Sequence, residues 1–277
     1  MINQSIQEHP IHGACLFADN GVIEIGIPLT FGLRVCHLSL CGGPNLFFEQ
    51  PHDLTDFMTE EGWRLRGGHR FWLAPEGKAT YYPDNEPIRY DISDDSITLL
   101  QPEDPWLKVI KSIVIRFEDN CIRICHKIIN TGDEPLVCSL WGISCMAPGG
   151  VETIHLKHRD GGYNPLHNIC MWDYTSMGDP RAHYERDQIV LTYLPIDAKY
   201  KIGVGHPISP VHYENNGVAF IKHFSIHDEK SYPDCNVSYE TYFNKYFVEI
   251  ESLSPLAEVA PGEELTHEEL WELKEIT

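Results

Sequence analysis

Two glutamates near the C-terminus share one face of a predicted strand. In the segment KYFVEIESL, strand periodicity places Glu249 and Glu251 on one side and Val248 and Ile250 on the other. If the two carboxylates face a cleft, burial and mutual repulsion raise the pKa of one of them, and the pair is suited to general acid–base catalysis. If they face solvent, they form an ordinary polar outer face.

A second group of polar residues is concentrated in WRLRGGHRFWLAPE, residues 63–76. It contains three arginines and His69 around a Gly-Gly pair, flanked by aromatic side chains. Arg66 and Arg70 can hold a hydroxyl, carboxylate or phosphate group with their forked donors. The alternative is a structural ion-pair network. Trp72 fits a sugar-stacking platform or the core equally well. The glycines are typical of a β-bulge, which decides whether Arg66 and His69 face the same side.

Two further segments carry candidate ligand-binding residues. Trp141 lies in SLWGISCMAPGG, where a place in the core is the favoured alternative. Asp234, Glu240 and Tyr242 lie in YPDCNVSYETYFN, which runs directly into the strand of Glu249 and offers hydroxyl-binding groups. The two histidines of the HLKH segment are spaced as metal ligands can be. The segment is typical of a loop, however, and no third ligand lies nearby in the sequence. We therefore predict no metal site.

The elements that must position these residues are predicted to be strands. Short runs rich in Val, Ile, Phe, Tyr and Thr alternate with Gly, Pro, Asn and Asp, and helical periodicity is almost absent apart from a short helix expected near residues 53–61. Residues 108–117 and 121–130 are predicted to form a hairpin, and the Pro-Gly-Glu turn at 261–263 to close another. We predict an all-β fold, a large antiparallel β-sandwich forming a single domain over residues 1–277.

Composition excludes several classes of partner. The formal net charge is −20, with 41 Asp and Glu against 21 Lys and Arg, so neither nucleic acid nor an anionic membrane is an expected partner. The nine cysteines are scattered, which is typical of reduced thiols. No secretory signal is recognisable, and no apolar run approaches the roughly 20 residues of a membrane span. We expect a soluble cytoplasmic protein, with its oligomeric state undetermined.

The Glu-x-Glu strand, the Pro-Gly-Glu turn and the Arg-Gly-Gly segment together resemble the galactose mutarotase-like (aldose 1-epimerase) superfamily. The resemblance implies its supersandwich fold, a small-molecule carbohydrate as ligand, and no metal or organic cofactor. It also implies that Glu249 is the catalytic base, with Glu251 as its same-face companion or its substitute. Arg66 matches a sugar-site arginine, and His69 lies close to a sugar-binding histidine of some members, which makes it the candidate acid.

The sequence departs from the superfamily at Trp141-Gly142-Ile143, where a His-x-Tyr usually supplies the acid that protonates the ring oxygen. Three functions therefore stay open. The first is an aldose 1-epimerase acting on a sugar, sugar acid or sugar phosphate. The second is a non-catalytic carbohydrate-binding protein on the same fold, and the third is a lyase or isomerase acting on uronic acids.

Overall fold

A computed structural model describes residues 2–158, 160 and 162–276. The strands of the first half are β1 (Asn3–His9), β2 (Gly13–Asp19), β3 (Ile23–Pro28), β4 (Arg34–Val35), β5 (His37–Leu40), β6 (Gly68–Ala74), β7 (Arg89–Ile92), β8 (Ser96–Leu100), β9 (Val109–Phe117), β10 (Cys121–Asn130) and β11 (Leu136–Met146). Those of the second half are β12 (Val151–His155), β13 (Asn168–Met171), β14 (Ala182–Tyr184), β15 (Gln188–Thr192), β16 (Tyr200–Gly205), β17 (Ile208–Asn215), β18 (Val218–Phe224), β19 (Tyr239–Phe243), β20 (Val248–Leu253), β21 (Ala257–Val259) and β22 (Glu264–Glu275). Helical structure consists of a 3₁₀ turn at Lys78–Tyr81 and one distorted turn, α1, at Pro233–Asn236.

These strands form two large antiparallel sheets and a smaller one. The ten-stranded sheet runs β14-β15-β12-β17-β18-β22-β10-β9-β8-β7, and the eight-stranded sheet runs β13-β16-β19-β20-β11-β6-β4 with β21 paired to β11. A four-stranded sheet, β1-β2-β3-β5, completes the fold. The predicted large antiparallel β-sandwich is confirmed; its extent as one domain over 1–277 stays a prediction.

Burial patterns show which strands are covered on both faces. In β10 every second residue is buried, as expected for a strand with one face on the core. In β6, β16 and β20 every residue is buried. The second face of these strands is covered by loops, and a cleft lies between those loops and the sheet.

The predicted hairpin of β9 and β10 is confirmed, with Phe117 opposite Ile122, but two other local predictions were wrong. Residues 53–61 form turns and an isolated bridge between Met58 and Arg64 instead of a helix. The Glu-x-Glu strand and the last strand form no hairpin, because β20 pairs with β11 and β19 whereas β22 pairs with β10 and β18. Among the described residues, no helix combines the length and apolar character needed to cross a bilayer.

Candidate active site

Strand register brings the charged residues of four strands onto one face of the eight-stranded sheet. Glu249 and Glu251 on β20 lie opposite Tyr242 and Glu240 on β19, and Tyr242 in turn lies opposite Lys201 on β16. On the other side β20 pairs with β11, which pairs with β6 and its Arg70 and Trp72. Because opposed residues point to the same face, distant segments of the chain meet here.

This face forms the floor of a cleft of about 310 Å³. Its walls are largely aromatic, and its polar groups are a mixture of carboxylates, cations and tyrosine hydroxyls. The residues lining the cleft are Asp56, Phe57, Met58, Thr59, Trp63, Leu65, Arg70, Trp72, Glu76, Tyr81, Trp141, Tyr174, Lys199, Lys201, Tyr242, Phe247, Glu249 and Glu251.

Glu249 is held as a carboxylate by Arg70. Arg70 Nη1 donates to Glu249 Oε1 at 2.6 Å, and both side chains are at least nine-tenths buried. Burial alone would lower the pKa of Arg70, but the charge and hydrogen bond of Glu249 raise it above its ordinary value. The guanidinium also lies 4.8 Å from the ring centre of Trp72, a cation–π contact. One oxygen of Glu249 is therefore fixed by the ion pair, and the Glu249 side chain lines the cleft.

Glu251 is in a different environment, although it is only two residues away. It is fully buried, and Lys201 Nζ lies 3.3 Å from its Oε2 and 2.7 Å from Glu240 Oε2. Burial raises the pKa of Glu251 to about 7 and that of Glu240 to about 8, even though Lys201 opposes both shifts. Glu251 is thus able to exchange a proton near neutral pH, whereas Glu249 has one oxygen, Oε1, in an ion pair with Arg70.

Several buried polar atoms on this face have no hydrogen-bond partner among the described residues, including Arg70 Nε and both carboxyl oxygens of Glu240. Two others are the indole nitrogen Nε1 of Trp141 and the Oε1 oxygen of Glu251. Buried polar atoms normally have partners, so these two are suited to bind polar groups of a ligand. Trp141 also packs on Lys201, whose Nζ lies 4.7 Å from the Trp141 ring and 4.6 Å from that of Trp172.

The prediction that His69 shares this cleft is wrong. His69 is fully buried on the opposite face of β6, where its Nδ1 lies 2.9 Å from Ser144 Oγ and its Nε2 2.7 Å from His126 Nε2. Burial, reinforced by His126, lowers the pKa of His69 well below its usual value. Because adjacent strand residues point to opposite faces, Arg70 rather than His69 reaches the cleft.

Arg66 and Asp234 also lie away from the cleft, contrary to prediction. The glycines that follow Arg66 take positive φ angles, and a side chain at Gly67 would come within 2.0 Å of the Phe48 carbonyl oxygen. The chain therefore bends at this point, and the Arg66 guanidinium packs 3.8 Å from the ring centre of Phe31. Asp234 lies in the distorted turn α1, with a φ of 48°. Trp72, Trp141 and Tyr242 line the cleft.

Sequence reasoning missed Lys201, Tyr81 and Tyr174. The tyrosines come from the 3₁₀ turn and a loop, where no periodicity indicates direction. Lys201 could have been found, because it is a lone cation in the apolar strand segment YKIGVG and a buried lysine needs a partner.

A second charged network is carried by β18 and β22 of the ten-stranded sheet and is enclosed between the two large sheets, against the other face of the eight-stranded sheet. Lys222 is fully buried, and its Nζ lies 3.0 Å from Glu269 Oε1 and donates to the carbonyl oxygens of Gly142 and Ile250 at 2.9 and 3.2 Å. Trp271 Nε1 donates to the other oxygen of Glu269 at 2.7 Å. Burial lowers the pKa of Lys222. This network ties the two sheets together.

The fold occurs in solved structures with little sequence identity. A galactose mutarotase-like protein from Lactobacillus casei aligns with a TM-score of 0.61 at 12% identity, over 94% of this chain and 100% of that one. A galactose mutarotase-like protein from Clostridium acetobutylicum gives 0.59 at 10%, over 100% and 99%. A galactose mutarotase related enzyme from Lactobacillus acidophilus gives 0.55 at 10%, over 95% and 98%. No family model matches the sequence, and no curated protein matches it either.

Proposed function

Since the chain has the galactose mutarotase-like fold, we propose that it interconverts the anomers of an aldose. The observation that carries the proposal is the pair Glu249 and Glu251 on the cleft floor, one fixed in an ion pair and the other buried with a pKa raised to about 7. The ion pair with Arg70 suits Glu249 to the role of base, and the raised pKa of Glu251 suits that residue to the role of acid.

In the proposed reaction Glu249 takes the proton of the anomeric hydroxyl while Glu251 gives its proton to the ring oxygen. The bond between C1 and the ring oxygen breaks, and an open-chain aldehyde forms. After rotation about C1–C2, the hydroxyl attacks the other face of the aldehyde. Its proton returns to Glu251, and the new anomeric oxygen takes the proton from Glu249, so both residues are restored. Glu251 thus takes the role first assigned to His69.

The surrounding residues fit a sugar ring. The apolar faces of a pyranose pack well on aromatic walls such as those of Trp63 and Trp72. The free indole nitrogen of Trp141 and the hydroxyl of Tyr242 are placed to contact sugar oxygens. Arg70 orients Glu249 through its hydrogen bond.

The proposal is tested by proton NMR exchange spectroscopy on a panel of aldoses, with and without protein. The expected result is faster exchange between the α and β anomeric signals of at least one sugar. The Glu249→Gln variant should lose about 10²–10⁴-fold of that rate because Gln cannot accept the proton. The matched control is Glu258→Gln, the same change at an exposed position of β21, which should keep the full rate. A folded Glu249→Gln protein with an unchanged rate would remove Glu249 from the mechanism.

A non-catalytic sugar-binding role is the second candidate, favoured by Trp141 standing where the superfamily usually has its histidine. The same experiment separates the two. Saturation transfer to a sugar without anomeric exchange supports binding alone. An ultraviolet-absorbing product from a uronic acid would point to a lyase.

A further inference from the structure

A second pocket lies beside the cleft and differs from it in charge. It has a volume of about 80 Å³, and its lining includes His12, His52, Arg64 and Arg66. No carboxylate is among the residues that line it, in a protein whose net charge is −20. We call it the basic pocket. Met58 separates it from the cleft, because this side chain lines both.

The basic pocket contains polar atoms without hydrogen-bond partners in the described part of the chain. Arg66 Nε is buried and unbonded, and so is Nε2 of His12, a residue that is 95% buried. Glu49 Oε1 lies 3.2 Å from His12 Nε2, but outside hydrogen-bonding geometry. Neither Arg64 nor Arg66 has a carboxylate within ion-pair distance among the described residues. Arg66 therefore contributes a buried donor without an acceptor, beside Arg64 and beside His12, whose Nε2 has the Glu49 carboxylate at ion-pair distance.

The backbone of Arg66 has an unfavourable conformation. Its φ of 60° lies in the left-handed region, which side-chain-bearing residues rarely adopt. Gln50 fixes this conformation, because its side-chain Oε1 accepts from the Arg66 backbone N–H at 2.7 Å and its backbone N–H donates to the Arg66 carbonyl oxygen at 3.1 Å. Asn85 and Phe31 hold the guanidinium itself. Strained backbone that its surroundings hold in place is a recurrent feature of binding sites.

We propose that the basic pocket binds a small phosphate-like oxyanion, at a site separate from the sugar cleft. The volume of the basic pocket equals that of about two or three water molecules. This volume suits one tetrahedral anion. Arginine forks and an imidazole are the groups that bind such anions best. Burial, together with the neighbouring Arg34, lowers the pKa of Arg66 to about 10, so Arg66 stays charged at neutral pH and an anion would relieve the repulsion.

The test is isothermal titration calorimetry with inorganic phosphate at low ionic strength. The wild type should bind phosphate, and Arg64→Gln and Arg66→Gln should each weaken binding about tenfold or more, as expected for losing one charged hydrogen bond. Arg64 is exposed, so its variant should fold even if Arg66→Gln does not. The matched control is Arg116→Gln, which removes the same charge from an exposed position of β9 and should bind like the wild type.

Three results would overturn the proposal: no phosphate binding by the wild type, unchanged binding by Arg64→Gln together with Arg66→Gln, or an equal loss in Arg116→Gln. A hexose 6-phosphate distinguishes free phosphate from a phosphorylated sugar. If its affinity depends on Arg64 and not on Glu249, the basic pocket is independent of the cleft. If its affinity falls in Glu249→Gln as well, the pocket extends the cleft and the proposed independence is wrong. None of these outcomes depends on turnover.

Discussion

Two buried lysine–glutamate pairs lie on either side of the eight-stranded sheet in opposite settings. On its cleft face Lys201 pairs with Glu251 beside an open cavity, and at its core face Lys222 and Glu269 of the ten-stranded sheet pair between the two sheets. A cleft pair can exchange partners with a ligand or with water, whereas a core pair cannot do so without separating the sheets. Residue type alone therefore does not tell which pair a ligand can reach; the position of the pair relative to the cleft does.

The largest expected effect is on the core face. Lys222→Ala removes one partner of a fully buried pair and leaves Glu269 uncompensated, so the free energy of unfolding should fall by about 3–5 kcal/mol, measured by urea denaturation. Lys201→Ala is the matched change on the cleft face. It should cost less, because its two carboxyl partners can take up protons near pH 7–8. Equal losses in the two variants would contradict the distinction between the faces.

A pH profile tests the cleft face. Proposed turnover needs Glu251 protonated, and the pKa of this residue is raised to about 7. The protonated form is lost as pH rises through that value, so the enzyme-dependent exchange rate should fall towards tenfold per pH unit above it. Exchange spectroscopy between pH 5.5 and 9, corrected for the protein-free rate, measures this. The Glu251→Gln variant should have a low exchange rate that does not decline with pH in this way. If the variant shows the same decline, a group other than Glu251 causes it.

The smallest effect on turnover is expected for His69, the catalytic candidate that the structure places in the core. His69→Gln keeps hydrogen-bonding capacity but loses the fit with His126 and Ser144, so the free energy of unfolding should fall by about 1–3 kcal/mol. The exchange rate per folded molecule should stay within about threefold of the wild type, since His69 has no contact with the cleft. A loss of a hundredfold in a folded variant would return His69 to the reaction.

Sequence patterns predicted much of this arrangement. Strand alternation placed Glu249 and Glu251 on one face, and the strand predicted over residues 121–130 matches β10. The direction of side chains around Gly67 and Gly68 could not be predicted, because three consecutive residues at positive φ, beginning at Arg66, break the alternation on which such a prediction rests.

The pairing of strands that are distant in the chain was the other feature that could not be predicted from the sequence. Lys201 and Lys222 look alike in the sequence, each a single lysine in an apolar strand. Only the pairing of β16 with β19, and of β18 with β22, shows that one faces the cleft and the other the core. Such pairings join residues far apart in the chain, and local sequence does not encode them.

The ammonium group of Lys201 lies between the rings of Trp141 and Trp172, and Trp72 is 5.9 Å from Trp141. This grouping gives the cleft a built-in optical reporter. A ligand that displaces Lys201 from the indoles alters the electric field on the rings that dominate ultraviolet emission. Closely spaced indoles also couple their electronic transitions, so occupancy of the cleft can be followed by intrinsic fluorescence and near-ultraviolet circular dichroism without any added label.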